Sequence, residues 1–215
     1  MSVQLAQIIA SSILVYPDDR FLNRREELLR LSENLDDDYA FPFMEFFNAT
    51  NHLTIDSLAK HYVEVFDMRR KCSLFLTSWT HGDTRNRGMA LLHFKEIYRE
   101  SGMVLTDEEL PDHLAVVLEF AAIKDPIAGR LLLGEHRAPI ELLKTSLHEI
   151  NSYYAFVLDA IVATLPAMTP ELAERARALA LSGPPKEYVG LSGAVNVALL
   201  PFSSSQSLIS DGGRR

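Results

Sequence analysis

KCSLFLTSWT, Lys71 to Thr80, is the stretch whose reading decides the fold class. Its alternation and its Leu, Phe, Thr and Trp content suit a β-strand. A lone strand, however, leaves ladder groups that are costly to bury unpaired, and no second convincing strand lies nearby. The segment therefore reads as helix or as irregular packed chain, and the protein as all-α. It sits inside His61 to Gly88, HYVEVFDMRRKCSLFLTSWTHGDTRNRG, which gathers aromatics, cations, the only cysteine and the only tryptophan.

Outward from this stretch the pattern is helical. Leu5, Ile8, Ile9 and Ile13 give one buried face to a helix over 2–15, ended by Tyr16-Pro17, and Asp19 is suited to cap a second. The acidic run Asp36 to Asp38 reads as a loop or helix start, and Pro42 suits the first turn of a short aromatic helix. Leu58, Tyr62, Val65 and Phe66 form the next stripe, with Tyr62 and Phe66 one turn apart as buried packing. Asp83 or Thr84 can cap a helix carrying Ala90, Leu91, Phe94, Ile97 and Tyr98, closed by Gly102. Pro111 marks another start. Pro126 opens a helix through Leu133, Pro139 opens a long one running from Leu143 to Ile161, and Thr169-Pro170-Glu171 opens the last, ended by Gly183-Pro184-Pro185. The expectation is one compact all-α domain of roughly eight or more helices over 1–185. Residues 186–215, with SSSQS and DGGRR, read as a mobile tail.

Of 215 residues, 47% are hydrophobic, enough to build a core without disulfides or metal. The single cysteine, Cys72, fits a reducing compartment and reads as a small buried hydrophobe. The N-terminus has no Lys or Arg before its apolar part, unlike a secretory signal, and no apolar run is long enough to cross a bilayer. A soluble protein is expected. A net charge of -8 argues against general nucleic-acid binding and favours basic partners.

Phosphate loops, dinucleotide fingerprints and a nucleophile elbow are absent. HEINS at His148 has Ser152 where a zinc helix needs a second histidine, and no histidines pair at metal-ligand spacing. Arg69, Arg70 and Lys71, with Arg85 and Arg87, form a positive patch beside Trp79. It reads either as charge complementing a helix C-terminus or as a contact for an acidic group with an aromatic anchor. Asp112 and His113 are adjacent in a helix first turn, where side chains diverge by about 100 degrees. That favours a hinge or recognition element over a catalytic dyad.

Four segments carry a resemblance: YPDD at Tyr16 to Asp19, YVEVFDMRRKCSLFLTSWTHGDTRNRGMALL at Tyr62 to Leu92, ELPDHLAVVLEFAA at Glu109 to Ala122, and GPPKEYVGL at Gly183 to Leu191. Together they closely resemble the NarJ-type nitrate reductase assembly chaperones, or delta subunit family, within the redox enzyme maturation chaperones. The wider group's aromatic-x-x-Leu-Phe signature stands here as Tyr62-Val-Glu-Val65-Phe66. Its E-P-x-D-H signature stands as Glu109-Leu-Pro111-Asp112-His113, with the proline shifted by one place.

The resemblance implies an all-α cytoplasmic chaperone, not an enzyme, which holds no permanent cofactor. It would bind the apo α subunit of membrane nitrate reductase through that subunit's N-terminal segment. It would assist insertion of the molybdenum bis-guanine dinucleotide cofactor and delay membrane docking. Cofactor-biosynthesis proteins are further partners on this reading, and the expected state is a monomer or weak homodimer. Arg69, Arg70, Trp79, Asp83, Arg87, Asp112 and His113 are the candidate client contacts, with Tyr62, Phe66, Glu109 and Pro111 as structural signature. The alternatives are a helical enzyme using Asp112 and His113 as acid and base, and a nucleotide-responsive binding module.

Overall fold

The computed structural model describes residues 2–82, 85–105 and 110–185, apart from the side chain of Arg85. The expectations for Asp83, Glu109 and the tail 186–215 lie outside the described residues. Among the described residues there are eleven α-helices and no strand.

α1 (Ser2–Ile13) buries Ile9 and Ile13 as its spacing requires. α2 (Asp19–Ser32) is capped one residue earlier than expected: Asp18 accepts hydrogen bonds from the backbone N–H of Arg20 and Phe21, which leaves Asp19 in the first turn. α3 (Asp37–Thr50) starts in the acidic run, so Pro42 lies inside the helix and not in its first turn. The ring there removes one helical hydrogen bond, and burial of Phe43, Phe46 and Phe47 in the core offsets that loss.

α4 (Ile55–Tyr62) is capped by Thr54 and continues as a π-turn over Val63–Asp67, in which the Met68 N–H reaches back five residues to the Val63 carbonyl at 3.1 Å. Two very short helices follow the next loop: a 3-10 turn (Arg70–Cys72) and α5 (Ser78–His81). α6 (Arg85–Glu100) buries Phe94 and Tyr98. α7 (Leu114–Glu119) also ends in a π-turn, Phe120–Lys124. α8 (Pro126–Glu135) is capped by Asp125, whose carboxylate accepts from the Ile127 and Ala128 amides and is thereby held below the usual carboxylate range.

The long helix expected from Pro139 to Ile161 is two helices, α9 (Arg137–Glu149) and α10 (Tyr154–Thr164). Between them Asn151 adopts φ 51°, a left-handed conformation that asparagine tolerates, and the Ser152 hydroxyl accepts from the Tyr154 amide. The apolar stripe is unbroken across the turn, so periodicity alone could not reveal it. α11 (Pro170–Ser182) starts at the Thr169 cap as its sequence requires.

α10 is the central strut, packing on α3, α9 and α1, while α1 also covers α7 and the second π-turn. Where α10 meets α3 and the first π-turn the core is aromatic: Tyr154 lies 5.6 Å from Phe46, 4.8 Å from Phe66 and 5.9 Å from Tyr62, centroid to centroid. The widened turn brings the Tyr62 and Phe66 rings to 4.8 Å, and Tyr62 donates to the Leu14 carbonyl. Both signature aromatics are thus buried against Tyr154. Gly129 is required where α8 crosses the second π-turn, because a Cβ there would stand 2.3 Å from the Ala121 Cα.

Candidate functional site

Lys71 to Thr80 does find an antiparallel partner, one bridge long. Phe75 pairs with His113: the Leu76 amide donates to the Asp112 carbonyl at 3.0 Å and the Leu114 amide to the Leu74 carbonyl at 2.9 Å. ELPDHL supplies that partner, too short and too polar to register as a strand by its own pattern. This corrects two expectations. The KCSLFLTSWT segment, irregular between two short helical turns as read, does have a strand-like partner, at Phe75, and Asp112 and His113 are not in a helix first turn, because α7 begins at Leu114 with His113 as its cap. Pro111 precedes the bridge, its carbonyl accepting from the buried Tyr98 hydroxyl at 2.7 Å.

Asp112 is 0% exposed. Its Oδ2 accepts from the Thr77 amide at 3.2 Å and the Thr77 hydroxyl at 2.5 Å, and the Arg87 guanidinium lies at 3.6 Å. Arg87 also donates through Nε to the Thr77 hydroxyl at 3.1 Å. A buried carboxylate needs such partners to remain charged. The guanidinium lies 5.3 Å over the Phe75 ring, whose edge meets the His113 ring, also at 5.3 Å. The Arg87 side chain is 17% exposed, so this cation has little surface to offer a partner.

His113 caps α7 through Nδ1, which accepts from the Ala115 amide at 3.3 Å. An accepting Nδ1 must be unprotonated, and burial holds the imidazole below the ordinary histidine pKa, with nearby Asp112 pulling the other way. Asp112 and His113 thus serve different neighbours, the carboxylate Thr77 and Arg87, the imidazole α7 and Phe75. Nothing in this geometry couples them as acid and base. Burial also raises the Cys72 thiol, and no cluster of potential metal ligands is present among the described residues.

Beside this node opens a cavity of about 320 Å³, lined by Phe66, Asp67, Arg69, Arg70, Phe75 and Arg87, with Ser73, Ser78, Gly82 and Pro184 completing the wall. The 3-10 turn presents Arg69 and Arg70 at its mouth, both exposed. Ser73 and Ser78 share a hydrogen bond of 2.9 Å. Pro184-Pro185, far away in sequence, closes one side: Arg70 donates to the Pro185 carbonyl at 2.7 Å.

Of the candidate contacts, Arg69, Arg70 and Arg87 therefore meet at one cavity, with Asp112 and His113 directly behind it. Trp79 is 3% exposed and does not line the cavity. Thr77, Phe75, Gly82 and the proline pair were not singled out as site residues from the sequence. Thr77 had a signal, a hydroxyl directly after the apolar Leu74-Phe75-Leu76 run, and the prolines stood within a segment that carried the resemblance.

The fold thus sets a cation-rimmed, aromatic-walled cavity beside a buried carboxylate that Thr77 and Arg87 engage. The profile of the nitrate reductase delta subunit family matches residues 26–158, and the chain belongs to that family. The nitrate reductase-like protein NarX of Mycobacterium tuberculosis is 41% identical over 155 residues, 72% of this chain but only 23% of NarX. The probable nitrate reductase molybdenum cofactor assembly chaperone NarJ of Bacillus subtilis is 31% identical over 72% of this chain and 85% of its own length. The Escherichia coli K12 chaperone NarJ is 31% identical over 72% of this chain and 67% of its own length.

Proposed function

We propose that this protein is a dedicated chaperone of nitrate reductase assembly. It binds the apo catalytic α subunit by that subunit's N-terminal segment, keeps it open for insertion of the molybdenum bis-guanine dinucleotide cofactor, and delays its docking on the membrane anchor. The observation that carries this reading is family membership over residues 26–158, together with relatives named as molybdenum cofactor assembly chaperones. The geometry is compatible with it. The net charge of -8 suits a basic client segment, and no helix among the described residues is long and apolar enough to cross a membrane.

Client contact is assigned to the cavity mouth. Arg69 and Arg70 are exposed donors there, and Arg70 already holds a peptide carbonyl, the kind of group a client backbone also presents. Phe66 and Phe75 supply the apolar wall together with the largely buried Arg87, whereas Asp112 and Thr77 hold Arg87 in place from behind. The test is a pulldown from cells expressing the nitrate reductase operon, with molybdenum measured in the captured α subunit. Capture of a molybdenum-free subunit is expected. Capture of cofactor-loaded enzyme only, or of no α subunit, would overturn the reading.

A further inference from the structure

The cavity mouth is partly filled by the chain itself. Arg70 Nη2 donates to the Pro185 carbonyl at 2.7 Å across 115 positions of sequence, and Pro184 forms part of the cavity wall. Gly82 receives the same segment at very short range: a Cβ on Gly82 would lie 2.8 Å from the Pro185 carbonyl oxygen and 3.0 Å from its Cβ. Gly82 also has φ 54° and ψ -149°, a backbone conformation open essentially only to glycine. The receiving side is thus built for close approach of an extended backbone, and the approaching side is stiff, since two consecutive prolines lose little conformational entropy on docking. Gly183, with φ 66°, turns the chain out of α11 towards this contact.

We propose that Gly183 to Pro185 is an internal occupant of the client site, competing with the client segment for Arg70 and for the wall beside Gly82. The inference rests on the assignment of client contact to Arg69 and Arg70. A client carbonyl that takes the place of the Pro185 carbonyl on Arg70 Nη2, beside Gly82, needs the space that the proline segment fills, so capture at that position requires the segment to leave. An occupant attached to the same chain acts at high effective concentration. It lowers the apparent affinity for client by the fraction of time the site is covered. Weak peptides are thereby refused, while a client with further contacts on the apolar wall displaces the segment.

The test uses the full chain and a synthetic peptide of the catalytic subunit's N-terminal segment, titrated by calorimetry. The strap variant Pro184→Gly/Pro185→Gly leaves the receiving surface untouched and multiplies the undocked fraction by roughly two- to fivefold per proline. It should bind the peptide about fivefold or more tighter than the natural sequence. Hydrogen exchange gives a second readout: peptide should accelerate exchange of the Ser182 and Gly183 amides, the latter bonded to the Leu179 carbonyl. Unchanged or weaker binding in the strap variant, with no change in exchange while the natural chain still binds, would overturn the competition and leave the chaperone reading standing. Absence of peptide binding in every form would remove both.

Discussion

Asp112 and Arg69 illustrate why two charged residues near one cavity have different jobs. Asp112 is fully buried and shares its Oδ2 between Thr77 and Arg87, so Asp112→Ala removes the buried acceptor of the Thr77 amide and hydroxyl and should cost about 1–3 kcal/mol. Arg69 is exposed, and Arg69→Ala should alter stability by no more than about 0.5 kcal/mol while weakening client peptide binding. Urea denaturation with calorimetry separates the two; equal stability losses would contradict the division. His113 adds a pH signature. Burial lowers the pKa of His61, His113 and His136, so the folded state prefers the neutral rings. Their contribution is complete above the ordinary histidine pKa of about 6.5 and is lost as pH falls below it towards their depressed values. Urea midpoints at pH 7.5 and 5.5 should therefore differ. His113→Asn, which keeps an N-cap acceptor, should narrow that difference, and an undiminished difference would show that His113 has no part in it. Adjacency in sequence drew attention to Asp112 and His113 together. The bridge to Phe75, which gives them separate neighbours, depends on residues nearly forty positions away and left no local trace.

Helices with strong start signals were legible: α11 begins at Thr169, whose side-chain oxygen meets an orphan amide, and α8 begins at Pro126. Elements whose limits depend on tertiary contact were not. The Asn151 turn hides within a continuous apolar stripe, because α9 and α10 bury the same face of the pattern on different neighbours. The two π-turns leave no periodic signature, since one extra residue per turn looks like noise in a helical stripe. Close packing gives two tests at this scale. Gly129→Ala should destabilise by about 1–3 kcal/mol, because the added methyl meets Ala121 backbone and not a side chain that can swing away. Tyr154→Phe should be neutral or stabilising, because the Tyr154 hydroxyl is buried without a hydrogen-bond partner among the described residues and desolvation of such a group is unfavourable. Thermal melts of the two variants moving in the same direction by equal amounts would contradict both assignments.

For the whole molecule, fold class followed from helical periodicity and from the absence of a second convincing strand, and that remains correct despite the single bridge. Charge acts at this scale as well. With a net charge of -8, association with a basic client segment should weaken several-fold as ionic strength rises and the screening length shrinks from about 10 Å at 0.1 M towards 3 Å at 1 M. Affinity that is flat with salt would place the binding energy in apolar contact alone. The pairing of α3 with α10 has a consequence for how the protein is made. α3 ends at Thr50 and α10 starts at Tyr154, so the aromatic face of α3 leaves the ribosome long before its partner. At about 5–20 residues per second, that face waits on the order of five to twenty seconds uncovered. A protein proposed to guard another chain's unfinished state passes through a comparable interval of its own, and nascent chains stalled before α10 should be the ones most readily lost to aggregation or proteolysis.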